Sequence, residues 1–111
     1  MLLLSINGKI KIETMKNLGL LATLKAKSGK EMEVENFIKE AVNLARKEEK
    51  TITWYSFKID HNTYGIFDTF ESESGRQAHL DGDIAAALME KASELLSEPP
   101  TIKKIEILSA V

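Results

Sequence analysis

The chain has 111 residues, 43% apolar and 29% charged, with a formal net charge of −2, a composition ordinary for one globular domain. An acidic balance lacks the basic face that phosphate neutralisation requires, so nucleic acid is not expected as a partner. The absence of cysteine excludes disulfides, thiolate metal sites and a cysteine nucleophile.

The opening segment, MLLLSINGKIKIE, has a short apolar run with no basic residues before it. That is too short for a signal-peptide core or a membrane span, so a cytoplasmic address without membrane attachment is expected. Residues 1–17 read as an extension, in which Asn7-Gly8 suits the turn of a small β-hairpin between LLLSI and KIKIE. Met15 stands as an alternative start of the domain proper, which is read over residues 18–111.

Leu18–Lys27 reads as a central strand, apolar on both faces in its first half. Ser28 and Glu31 then form an S-x-x-E pattern, a capping box for a helix running to about Glu49. Val34, Phe37, Ile38, Ala41, Val42 and Ala45 recur at helical spacing and mark its inner stripe. The run Arg46–Lys50 mixes both signs of charge and reads as a solvated helix end.

Thr51–Ile59 alternates as a strand, with Trp54 on one face and Tyr55 and Phe57 on the other. Asp60–Thr63 is a turn. Tyr64–Glu71 returns with Tyr64, Ile66, Asp68 and Phe70 on one face and Gly65, Phe67 and Thr69 on the opposite one. A short helix over Ser72–Leu80 carries His79. Asp83 is placed to cap a second long helix over Ile84–Leu96, and Pro99-Pro100 precedes a final strand over Thr101–Ser109.

The order β-α-β-β-α-β predicts an α+β, ferredoxin-like fold with an antiparallel sheet and helices on one face. Aromatic residues on the uncovered face would then meet water, which predicts a homodimer with two sheets packed face to face.

The segments W-Y-x-F at Trp54–Phe57, Y-G-I-F-D-T-F at Tyr64–Phe70 and G-R-Q-A-H-L at Gly75–Leu80 resemble the antibiotic biosynthesis monooxygenase domain family, as do Ile84–Leu88 and Glu94–Pro100. The resemblance covers about Leu18 to Leu108. It implies a dimeric α/β barrel and a ligand cavity in each subunit between sheet and helices. For a quinol-monooxygenase-like member it implies cofactor-independent attack of dioxygen on a small aromatic or quinol substrate, after a base removes a proton. No metal or flavin is implied. The haem-degrading branch of the family relies on an Asn, a Trp and a His, and the first strand here, LLATLKA, has no Asn.

Such chemistry needs a base, a dry aromatic pocket and donors for a developing oxyanion. His79 is the candidate catalytic base, since imidazole titrates near neutrality; the alternative is a histidine that only caps or hydrogen-bonds the break at Asp81-Gly82. Trp54 reads as a pocket wall or as core. Tyr55, Phe57 and Phe70 are candidate substrate contacts, against solvent-facing hydroxyl or core readings. Asp68 is a carboxylate within an aromatic strand and must be paired or shifted if buried. Arg76, one helical turn before His79, is either an anchor for a substrate anion or the partner of Asp68 in an ion pair. An enzyme of this kind, a non-catalytic small-molecule-binding dimer and a purely structural dimer all fit these residues.

Overall fold

A computed structural model describes residues 17–111. The elements are β1 (Leu18–Lys25), α1 (Glu31–Glu40), α2 (Val42–Ala45), β2 (Thr51–Asp60), β3 (Thr63–Phe70), α3 (Glu73–Leu80), α4 (Asp83–Leu95) and β4 (Thr101–Glu106). The strands form one antiparallel sheet in the order β2-β3-β1-β4. With helices in the β1–β2 and β3–β4 connections, this is the expected α+β, ferredoxin-like fold. The hairpin expected over residues 1–17 lies outside the described residues except for Asn17, whose carbonyl accepts the Ile107 N–H at 2.9 Å. No helix among the described residues is long and apolar enough to cross a membrane.

Alternation along the strands decides what the sheet covers. Leu20, Leu24, Tyr64, Ile66 and Phe70 point under the helices and are buried. Val34 and Ile38 of α1 and Leu88 and Leu95 of α4 form one core cluster with Leu24, Tyr64 and Ile66. Each such aliphatic side chain contributes about 1.5–3 kcal/mol when fully withdrawn from water. A second cluster, Ala41, Ala45 and Ile84, joins α2 to α4, and Trp54 packs against both clusters. The other sheet face is open: Tyr55 is 57%, Phe57 37% and Ile59 58% exposed.

Three local expectations are corrected. Ser28 does not cap α1: Gly29 adopts a left-handed turn (φ +88) and the helix starts after Lys30, which makes no side-chain cap. The Glu31 carboxylate still reaches back, but to the Gly29 N–H at 3.0 Å. The expected single helix to Glu49 is divided at Ala41, and residues 46–50 form a turn-rich connection that brings Glu48 to the sheet side. The α4 N-cap is Gly82, with Asp83 already in the first turn. Ser72 does cap α3, accepting the Gly75 N–H at 3.1 Å.

Candidate functional site

Asp68 lies at the centre of β3 with its side chain toward the helices, and is only 1% exposed. A carboxylate buried to this degree needs a counter-charge. His79 supplies it from the last turn of α3, with Nε2 3.0 Å from Asp68 Oδ2. The contact is close but poorly aligned, so Oδ2 is left without a well-directed hydrogen bond. On the opposite side of the ring, Nδ1 lies 2.7 Å from Glu48 Oε1. Glu48 Oε1 also accepts the Thr51 hydroxyl at 2.6 Å. The result is a row, Asp68–His79–Glu48, that ties β3, α3 and the α2–β2 connection. The imidazole lies between the two carboxylates, so the three side chains do not converge on a point, and no metal-binding cluster forms among the described residues.

The electrostatics follow from this placement. Burial is the largest single influence on His79 and opposes its charged form, but the Asp68 and Glu48 carboxylates together outweigh it and hold the imidazole above its ordinary pKa. Burial raises the Asp68 pKa, with His79 acting in the opposite direction. A base requires a free lone pair, and both ring nitrogens of His79 face carboxylates.

The sign of the pH effect is fixed by the His79 shift. A proton held more tightly by the fold than by the unfolded chain stabilises fully below the unfolded pKa of about 6.5 and is lost as pH rises through the folded value. Asp68, raised from 3.8, acts with the same sign, its loss starting at acid pH. Urea unfolding midpoints are therefore expected to fall as pH is raised above about 6.5, and His79→Gln is expected to flatten that part of the profile. A wild-type midpoint that rises over this range would show that the carboxylates do not hold the proton on His79.

Phe70, fully buried, sets its ring 5.2 Å from the imidazole at a 49° tilt. Trp54 faces the same side as Asp68, its cross-strand partner. Its indole N–H is buried without an acceptor among the described residues. His79, Asp68, Phe70 and Trp54 thus share the helix-covered face.

The remaining candidates do not join them. Arg76 does not pair with Asp68. Its guanidinium donates to the carbonyls of Gly19 (3.1 Å) and Ile105 (3.3 Å) and to Glu73, which fastens α3 to β1 and β4. Residues three apart on a helix share a face only approximately, and strand carbonyls lie within its reach where Asp68 is already taken by His79. Tyr55 and Phe57 point off the opposite sheet face, because odd positions of β2 alternate away from Trp54. The Phe57 ring lies over Gly65, where an added Cβ would come within 2.4 Å of it.

Among the described residues, two spaces bear on the cavity expected between sheet and helices. Under α1 and α4, packing of Leu24, Val34, Phe37 and Leu88 leaves about 10 Å³, scarcely the room one water needs. A cleft of about 330 Å³ opens instead between the α2–β2 connection and the facing parts of α3 and α4. Leu44, Lys47, Glu48, Lys50, Ala78 and His79 are among its walls. Gly75 permits this approach: a Cβ there would lie 2.9 Å from Lys50 Cβ, so any side chain would push α3 away from the connection. Glu48 is the residue that sequence reasoning missed. Its only local signal was a place in a mixed-charge run, and its partner lies 31 residues further along.

Fold and site together define an α+β domain with a carboxylate–imidazole–carboxylate row, buried at Asp68 and His79 and partly exposed at Glu48, beside a small-molecule-sized cleft. No protein-family model matches the chain, and no curated protein matches it. Among solved structures, NE2512, a protein of unknown function from Nitrosomonas europaea, is 47% identical, with a TM-score of 0.85 over 88% of this chain and 95% of its own. The chain belongs to the family of that protein. PA3566 from Pseudomonas aeruginosa matches at TM-score 0.74 and 17% identity, over 85% of this chain and 96% of its own. An antibiotic biosynthesis monooxygenase matches at TM-score 0.72 and 14% identity, over 83% of this chain and 99% of its own. At such identities the last two show a shared fold.

Proposed function

We propose that the protein is a monooxygenase-type oxidoreductase that takes a small aromatic or quinol molecule into the cleft beside His79, without a metal or flavin. The observation that carries this reading is the Asp68–His79–Glu48 row, of which His79 and Glu48 line a cleft of about 330 Å³ while Asp68 is buried behind them. Ionisable groups held between burial and specific charge partners concentrate at functional sites. The fold shared with an antibiotic biosynthesis monooxygenase supports the same direction.

In the proposed reaction a ring hydroxyl loses its proton and the resulting anion reduces dioxygen. One oxygen atom enters the ring, the other leaves as water, and the quinol supplies all the electrons. His79 would act through its positive charge at the wall, stabilising the developing oxyanion. The test is oxygen uptake with a panel of hydroquinones, comparing wild type with His79→Gln after circular dichroism confirms folding. The substitution is expected to lower the rate about 100-fold or more. An unchanged rate removes His79 from the mechanism.

A second reading has its own support, since both ring nitrogens of His79 are already occupied. In that reading the row only shapes the cleft, and the protein binds a small molecule without turnover. A thermal shift on adding hydroquinones, with no oxygen uptake, would favour it.

We infer in addition that the open sheet face packs on a second copy of the chain. Tyr55, Phe57 and Ile59 of β2 continue across the sheet into Phe67, Leu21 and Ile105, an apolar surface that a monomer would leave in water.

A further inference from the structure

We propose that Glu48 is the proton acceptor of this site, with His79 as a positioning residue clamped between it and Asp68. The inference rests on the oxygenase reading above and deepens it. Neither nitrogen of His79 is open to the cleft as an acceptor: Nδ1 is 2.7 Å from Glu48 and Nε2 is 3.0 Å from Asp68, with the side chain 9% exposed. Glu48 differs in each respect. It lines the cleft, keeps 21% of its side chain exposed, and uses Oε1 for both His79 and Thr51. Among the described residues Oε2 has no donor, so the second oxygen is available to a ligand.

The other charged groups near Glu48 are consistent with that role. Lys47, Glu49 and Lys50 of the same connection, and Asp83 at the start of α4, line the cleft. The lysine ammonium groups can offset the charge of an anion formed there. When a substrate O–H gives its proton to Oε2, the O–H bond breaks, a carboxylic O–H forms, and the negative charge moves from Glu48 to the substrate oxygen. That charge remains opposite the imidazolium, whose own charge Asp68 balances. No proton needs to leave His79, which is why a doubly engaged imidazole is suited to holding the field and unsuited to accepting the proton.

A carboxylate is a weaker base than an ordinary phenolate. The favoured substrates are therefore hydroquinones whose hydroxyl is acidified by electron-withdrawing ring substituents. With 2,6-dichlorohydroquinone and hydroquinone as probes, wild type should turn over the chlorinated ring faster at pH 7. Glu48→Gln should lower kcat about 100-fold or more while moving KM by less than about threefold, and Glu48→Asp should restore part of the rate.

An independent readout uses nitrogen-15-labelled histidine. His61, in an exposed turn, gives the second histidine signal in the same spectrum. His79 should titrate above the ordinary imidazole value of about 6.5, and Glu48→Gln should move its titration to lower pH. A His79 titration at or below about 6.5 overturns the proposal, and so does oxygen uptake that survives Glu48→Gln. No uptake by wild type with any hydroquinone overturns the oxygenase reading itself and the acceptor role with it. Uptake by wild type that is lost in His79→Gln but kept in Glu48→Gln returns the base to His79.

Discussion

His79→Ala is expected to lower the unfolding free energy by about 3–5 kcal/mol, the range for breaking a buried charge pair from one side. Asp68 is 1% exposed and faces His79 at 3.0 Å. Without the imidazole it must either stay charged with no counter-ion or take up a proton, and both options cost stability. Glu48 would keep the Thr51 hydroxyl but lose its tie to α3, and the Phe70 ring would face a space the size of an imidazole. Urea unfolding at pH 6 measures the effect, with the slope of the transition checking that the unfolded state is unchanged. Asp68→Asn combined with His79→Ala should cost less than the sum of the two single changes, because the second removes a charge that the first has already orphaned. A loss below about 1 kcal/mol for His79→Ala would mean that packing, and not the charge row, joins α3 to the sheet.

That row marks the boundary of what the sequence revealed. Element order and the two faces of the β2–β3 hairpin, with Asp68 on the face of Tyr64 and Phe70, follow from local periodicity, which the sheet preserves. The pairing of Asp68 does not. Arg76 and His79 stand on the same short helix, and one turn of rotation decides which of them reaches β3; the carbonyls of Gly19 and Ile105 claim Arg76. Glu48 was still less accessible, because its role depends on the helix ending before the charge run, so that the connection folds back toward α3. Capping signals fared similarly: S-x-x-E fits a helix start, but the positive φ of Gly29 moved the start beyond Ser28. Tyr55 and Phe57 were separated from Trp54 correctly by alternation, and that same alternation puts them on the sheet face opposite His79.

Tyr55→Lys combined with Ile59→Lys is expected to convert a dimer to a monomer at micromolar concentration in sedimentation velocity. Both side chains are more than half exposed in the single chain, so the substitutions should leave its circular dichroism and much of its intrinsic stability intact. Their cost falls on association. In a two-fold interface each substitution counts twice, and like charges brought together or buried unpaired cost several kcal/mol. The dissociation constant should rise at least about 100-fold, and the wild-type melting temperature should increase with protein concentration while that of the variant should not. The site supplies the contrast: Trp54 and His79 lie on the helix-covered face, so the double variant should still bind a cleft ligand if the cleft is built within one subunit. A wild type that sediments as a monomer, or a double variant that stays dimeric, would place the subunit contact elsewhere and leave Tyr55, Phe57 and Ile59 as an open surface needing another partner.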